Sequence, residues 1–271
     1  MSLETVADAR RMIELSRAEY DSLVAYLESL PPAGWTEQSA ASEWQVYQVV
    51  SHIGSQPAIH GGMISAGLRG EPPMTDDDRR AIWSRFDAMT PAAVFPAFRA
   101  NNDAFVALVD SLTEAELGAS MPWLGGPAPV ATVLAGRLNE QVLHAWDIKQ
   151  ARDKATTLTA AAVPDLLELN LTPGRLAGLV KPERAPELNG KTIQFLLTDP
   201  EGAVALTIGE RGPRATMGKA AAPDLTAELT AEEMVRLLWG RLDVKAAVEN
   251  GTLKLSDPGK AGALQALLPG R

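Results

Sequence analysis

Residues 137–150 have the sequence RLNEQVLHAWDIKQ, and the rest of the prediction is built around this stretch. Its apolar residues recur at helical spacing without an interrupting Gly or Pro, which predicts a helix that packs in an apolar core. Glu140 and His144 are four residues apart, so they lie on one face of that helix, about one turn from each other. A carboxylate and an imidazole placed in this way can provide two ligands for one divalent metal ion.

A third ligand has to come from elsewhere in the chain, which contains only two further histidines, His52 and His60. His52 lies in another apolar stretch with helical spacing, residues 44–56, WQVYQVVSHIGSQ. Helical bundles hold metal ions between side chains of facing helices. Our main hypothesis is therefore a metal site formed by His52, Glu140 and His144.

Two other interpretations of these residues remain open. A carboxylate among Leu, Val and Trp costs free energy unless its charge is compensated. Arg137, one turn before Glu140 on the same helix, could compensate that charge in place of a metal ion. Alternatively, His52 and His144 are hydrogen-bonded core residues of a purely structural bundle.

The composition limits the number of domains and the kinds of metal site and nucleophile that the chain can contain. With 271 residues, 46% hydrophobic and 22% charged, the sequence is typical of a globular protein of about two domains. It contains no cysteine, which excludes disulfides, thiolate metal ligands and a cysteine nucleophile. A metal ion would have to be held by His and carboxylate ligands, which suit zinc and several other divalent ions. Thiol chemistry would need a small thiol as cosubstrate.

The charge of the chain argues against some partners. The formal net charge is −9, and the excess of Asp and Glu belongs to residues 1–154. Nucleic acids need a basic face, so we expect no nucleic-acid partner. No apolar run is long enough to span a membrane, and the N-terminal residues lack the apolar core of a signal peptide. We therefore expect a cytoplasmic protein without a membrane partner.

The first part of the chain, residues 1–154, is predicted to be a four-helix bundle. Its long helices are expected at residues 4–30, at residues 44–56, at about residues 90–112, and from Pro129 through the Glu140/His144 pair.

The connections between these helices carry further expectations. Pro57 should kink or end the second helix, and His60 is expected at a helix end or at the rim of a pocket. The acidic residues 76–78 are interpreted as the start of a short helix and not as a metal site. Trp123, with Gly125 and Gly126, forms a tight apolar loop that either plugs the core or covers a pocket.

The second part of the chain, residues 155–271, is predicted to be a smaller α+β domain. A helix is expected first, followed by a strand pair around the turn signal at residues 199–202. Thr230 and Glu233 form a capping box for a further helix. The predicted helices are residues 160–180, 230–242 and 260–268, and the predicted strands are residues 192–198, 203–208, 215–218, 224–229 and 251–256.

The sequence resembles a known family. The pattern W-x-V-x-x-V-V-x-H ending at His52 and the later E-x-x-x-H-x-W-D from Glu140 are similar to DinB-like metal-binding bundles, and most similar to the mycothiol-dependent maleylpyruvate isomerase group. That group carries a C-terminal domain of the sterol carrier protein type. The strand pair from Thr192, the helix with Trp239 and the stretch GTLKL from Gly251 resemble this domain.

The resemblance implies a function. In the group, residues matching His52, Glu140 and His144 bind a divalent metal, most often taken as zinc. Glu140 and His144 would then also be the catalytic residues of an isomerase or S-transferase. Such an enzyme uses a small thiol, mycothiol or a similar molecule, and acts on a small electrophilic carboxylate such as maleylpyruvate. The thiol would add to a double bond, rotation would follow, and elimination would give the trans product.

Supporting roles and alternatives follow from the same resemblance. Asp147 or Asn139 would hydrogen bond a ligand histidine. An arginine would bind the substrate carboxylate. The partners would be a small-molecule substrate and a small thiol, with the protein a monomer or a homodimer. The alternative function is a metal-containing protein that binds a small molecule or a lipid without catalysis. The candidate arginines are Arg79, Arg80, Arg85 and Arg99.

Overall fold

The protein folds into two compact units, residues 1–162 and 163–271. A computed structural model describes residues 3–123 and 126–270. The boundary predicted after residue 154 lies in the turn-rich segment that precedes the second unit.

The first unit is helical. Four long helices form its body, as the spacing of apolar residues predicted, and two shorter helices and a two-stranded hairpin lie in the connections. The elements are α1 (Val6–Ser29), α2 (Val46–Leu68), α3 (Asp76–Asp87), α4 (Pro91–Ser111), α5 (Glu114–Leu117), β1 (Ser120–Met121), β2 (Ala128–Pro129) and α6 (Val130–Lys149).

The packing of the first unit centres on α2 and α6. Helix α2 packs against α3, α4 and α6, and α1 packs along α6. Helix α6 is buried over most of its circumference, which explains why its sequence shows apolar residues on more than one face. The shared core includes Leu27, Val50, Phe86, Phe98 and Ile148, all almost fully buried. This core holds the helices that carry the candidate metal ligands.

A close contact between helices depends on Gly54 in α2. A Cβ atom at this position would lie 2.9 Å from the Phe86 ring and 3.2 Å from Cβ of Phe98, closer than such contacts normally occur. The side-chain amide of Asn101 in α4 donates a hydrogen bond of 2.9 Å to the carbonyl of Gly54. Helix α2 therefore packs closely against α3 and α4 at a buried position that leaves no room for a side chain.

Helix α2 does not end near Pro57, which corrects one expectation. The helix continues through this buried proline to Leu68. Proline lacks the N–H that would bond the carbonyl of Ile53, four residues earlier. The buried guanidinium of Arg137 in α6 points to that oxygen instead, with Nη2 at 3.5 Å. The neighbouring helix thus supplies a donor where the proline removes one.

Helix α3 begins at the acidic run, in agreement with the sequence. Thr75 caps it and forms a capping box with Asp78, while Asp76 and Asp77 lie in the first turn. Arg79 and Arg80 pair with Asp76 and Asp77, respectively, so these acids serve the helix terminus.

The second unit is α+β and contains a five-stranded sheet. The strand order is β5-β4-β3-β6-β7; β3 and β6 are parallel, and the other neighbours are antiparallel. The elements are α7 (Val163–Asn170), α8 (Pro173–Leu179), β3 (Thr192–Thr198), β4 (Glu201–Gly209), β5 (Gly212–Met217), β6 (Leu225–Leu229), α9 (Ala231–Leu238), α10 (Val244–Asn250), β7 (Lys254–Leu255) and α11 (Ala261–Leu267).

The second unit corrects three further expectations. The helix expected at residues 160–180 is two helices, because Pro173 disfavours a helical residue before it and starts α8. Helix α10 was not predicted; Asp243 caps it and Gly251 ends it in the left-handed conformation. The strand expected at residues 251–256 is reduced to Lys254–Leu255. The capping box of Thr230 and Glu233 is present.

Among the described residues, no helix combines the length and the apolar character that crossing a membrane requires.

Candidate metal centre

Helices α2 and α6 bring the three predicted ligands together. Nε2 of His52 lies 3.1 Å from Oε2 of Glu140, and Nε2 of His144 lies 3.7 Å from the same oxygen. The two imidazole rings are 4.7 Å apart and nearly perpendicular. All three side chains are partly buried, so they lie in the bundle with access to solvent.

A carboxylate fixes the orientation of His144. Oδ2 of Asp147, one turn further along α6, lies 2.8 Å from Nδ1 of His144 and is almost fully buried. An ionised carboxylate accepts only, so Nδ1 carries the proton and donates. The lone pair of a neutral His144 is then on Nε2, the nitrogen that faces Glu140. Of the two residues expected to support a ligand histidine, Asp147 makes this contact.

The protonation states of Glu140 and His144 suit a cation. Burial disfavours the ionised form of Glu140, yet the hydrogen bond from His52 and the charges of His144, His52 and His60 outweigh it. The pKa of Glu140 is therefore held well below its usual range. Burial lowers the pKa of His144 below its usual value, although Asp147 and Glu140 favour its charged form. At neutral pH the pair is a carboxylate and a neutral imidazole, the protonation states that a metal ion requires.

The spacing of these atoms fits a divalent ion. Ligand atoms about 2.1 Å from a tetrahedral ion are about 3.4 Å from one another. One ligand atom from each of His52, Glu140 and His144 lies within 4.8 Å of the others, and two of the separations are 3.1 Å and 3.7 Å. Small side-chain movements would bring all three to ligand distance. Two imidazoles and one carboxylate are also a donor set that zinc accepts.

Further polar and aromatic residues surround the three. The side-chain amide nitrogen of Gln56 lies 3.3 Å from Nε2 of His52, one turn further along α2. The ring of Trp44 lies 5.1 Å from that of His52 and 6.0 Å from that of His144. Gln56 lies four residues after His52, so helical spacing could have predicted this contact, but it was not among the sequence-based predictions.

His60 is inside the bundle and not at the end of a helix. It lies within α2, is 8% exposed, and its Nδ1 is 3.0 Å from the carbonyl oxygen of Gln56. Its ring is 6.0 Å from that of Trp123. The sequence predicted a tight apolar loop formed by Trp123, Gly125 and Gly126. Of these residues, Gly125 lies outside the part of the chain that the structure describes.

Arg137 is a second buried charge beside the candidate ligands. It is 1% exposed, and Nη2 donates to Oδ1 of Asn102 at 3.0 Å. Burial lowers the pKa of Arg137 to about 9, and the charge of Glu140 partly offsets this effect. The guanidinium is thus protonated at neutral pH. The alternative that Arg137 compensates the Glu140 charge therefore has structural support alongside the metal hypothesis.

A pocket of about 570 Å³ adjoins the candidate metal centre through His52. Ser51 and Asp87 also line it, and the hydroxyl of Ser51 donates to Oδ1 of Asp87 at 3.0 Å. Aromatic side chains form much of the remaining wall: Trp44, Tyr47 and Trp83.

None of the four candidate arginines lines this pocket in the part of the chain that the structure describes. Arg79 and Arg80 pair with acids of α3, as described above. Arg99 pairs with Glu28 at 3.0 Å, and the guanidinium of Arg85 lies 5.5 Å from the Phe86 ring centre. The expected carboxylate-binding arginine is therefore not found here.

Comparison with known proteins agrees with this architecture. A profile of the mycothiol maleylpyruvate isomerase N-terminal domain matches residues 16–149, and a profile of the SCP-2 sterol transfer family matches residues 147–269. No curated protein matches the chain significantly in sequence.

Solved structures show the same fold. The chain is similar to a crystal structure of the mycothiol-dependent maleylpyruvate isomerase, with a TM-score of 0.65 and 13% identity, over 94% of this chain and 96% of that one. A variant of that enzyme in which one histidine is replaced by alanine matches equally well. Identity this low establishes the fold alone. The two profiles together span residues 16–269 and show that the chain belongs, through its first part, to the mycothiol maleylpyruvate isomerase N-terminal domain family and, through its second part, to the SCP-2 sterol transfer family.

Proposed function

We propose that the protein is a metal-dependent enzyme that uses a small thiol to isomerise, or to transfer the thiol to, a small electrophilic substrate. The observation that carries this proposal is the convergence of His52, Glu140 and His144 in the bundle. The family supports it, because the related crystal structure is described as a mycothiol-dependent maleylpyruvate isomerase. Mycothiol and maleylpyruvate are thus the first thiol and substrate to test.

The three residues would hold the ion, and their donor set of two imidazoles and one carboxylate suits zinc. When bound, the ion would supply a positive charge that lowers the pKa of a nearby thiol. Asp147 holds the His144 ring and its tautomer through the 2.8 Å hydrogen bond. Trp44 lies beside both histidine rings, with ring centres 5.1 Å and 6.0 Å away. The pocket beside His52 leaves room for the organic part of a ligand.

Turnover tests the proposal directly. Zinc-loaded protein should isomerise maleylpyruvate when mycothiol is present and should not do so when the thiol is omitted. Glu140→Gln should lower kcat at least about 100-fold, since electrostatic contacts in an active site have effects of this size. The measurement is the loss of the cis isomer over time. Metal-loaded protein without thiol-dependent turnover would contradict the proposal and favour a metal-containing binding protein.

The support of His144 by Asp147 can be tested separately. Asp147→Asn keeps the size of the side chain but removes the carboxylate that orients and polarises the imidazole. We expect the affinity for zinc to fall about 10- to 100-fold, the usual effect of losing such a partner. Competition with a chelator measures this affinity. Asp110→Asn, an exposed acid on α4 that pairs with Arg17, is the control and should leave the affinity unchanged.

A further inference from the structure

The pocket beside His52 has an unusual set of wall residues. Three aromatic rings line it together with the carboxylate of Asp87. Asp87 lies at the end of α3, where its partner is the neutral hydroxyl of Ser51. Within residues 3–123 and 126–270, no Lys or Arg forms an ion pair with it, whereas Asp76 and Asp77 on the same helix each have an arginine. Its negative charge is therefore available to a ligand.

The aromatic residues favour the same kind of ligand as Asp87. The faces of Trp and Tyr rings attract cations, and cages of such rings recognise substituted ammonium groups. Trp44 lies just before α2, Tyr47 lies in its first turn, and Trp83 lies in α3, which packs against α2. A carboxylate in this pocket would meet the like charge of Asp87, whereas an ammonium group would meet attraction from the rings and from the acid.

We propose that this pocket binds the ammonium group of a small cationic ligand, with Trp44, Tyr47 and Trp83 around the cation and Asp87 as its counter-charge. As a statement about the substrate, this rests on the proposed function, because the pocket adjoins the candidate metal centre. The binding itself requires neither metal nor turnover.

Isothermal titration of the full chain with choline tests the proposal. The matched probe is 3,3-dimethylbutan-1-ol, which has the shape of choline and a carbon in place of the charged nitrogen. We expect choline to bind about tenfold more tightly than this alcohol. Asp87→Asn should remove most of that difference and leave the alcohol unaffected. Asp77→Asn, on the same helix outside the pocket, should change neither.

Other outcomes would overturn the proposal. These are equal binding of choline and the neutral alcohol, tighter binding of maleate than of choline, or unchanged choline binding in Asp87→Asn. Thermal denaturation checks that each variant is folded. The titrations are repeated with metal-free protein. Choline binding by the metal-free protein would support the pocket proposal even if metal binding or turnover were not observed.

Discussion

Replacing His144 with alanine is expected to reduce the bound divalent metal from about one ion per chain to almost none. The reason is geometric: two ligands, His52 and Glu140, would remain, and a stable zinc site needs at least three protein ligands. Elemental analysis after dialysis against buffer with trace zinc measures the content. His52→Ala should behave in the same way, since it removes the ligand from the facing helix.

The third histidine provides the control for this experiment. His60 lies in α2 close enough to affect the charge of Glu140, but it does not belong to the ligand set. His60→Ala should therefore keep its metal. If His144→Ala retained the ion, or if His60→Ala lost it to the same extent, the assignment of the ligands would be wrong. Absence of metal from the wild-type protein, even after incubation with zinc, would leave a structural bundle with Arg137 compensating Glu140.

Replacing Phe98 with alanine is expected to lower the free energy of unfolding by about 3–5 kcal/mol, as for other large aromatic residues in cores. Phe98 is fully buried in α4, packs beside Gly54 of α2, and contacts the ring of Tyr20. Its loss leaves a cavity between helices that cannot move together without disturbing the Gly54 contact. Urea denaturation of the full chain followed by tryptophan fluorescence measures the change, because five of the six tryptophans belong to the first unit.

Phe95 gives a matched comparison on the same helix. It is only partly buried and lies 5.5 Å from the Trp35 ring. Phe95→Ala should therefore cost less than half as much as Phe98→Ala, since less apolar surface is exposed to water and a smaller cavity forms. Equal effects of the two substitutions would show that the core around Phe98 relaxes much more than the helix contacts suggest.

The helices of the first unit could be predicted from the sequence because their apolar residues follow one period over many residues. The same is true of the pair Glu140 and His144, whose separation on α6 is fixed by helical geometry. The approach of His52 to this pair could not be predicted from periodicity. Facing helices can be rotated and shifted in many ways, and periodicity states only which face is buried. The motif resemblance, and not the spacing, carried that part of the prediction.

The failures have local causes. Pro57 was expected to disrupt α2, but tertiary contacts replace the missing hydrogen bond. Helix α10 was missed because it has only seven residues, too few for a periodic pattern. The pocket at Asp87 depends on how the end of α3 meets the start of α2, and no local pattern encodes that approach. Arginines were expected near the substrate because of charge, whereas nearby acids of the helices already pair with three of the four candidates.

Removing a proline from inside a helix is a common way to engineer a more thermostable protein, and Pro57 in α2 is a position where this could be tried. Here, an N–H restored at position 57 would compete with the guanidinium of Arg137 for the carbonyl oxygen of Ile53. Nε and Nη1 of that buried side chain already have no partner among the described residues. The stability gained from the new hydrogen bond within α2 would thus be offset by a weaker contact of Arg137 in α6. This contact lies where the segments that carry His52 and Glu140 meet. Thermostability engineering of this fold should leave Pro57 unchanged.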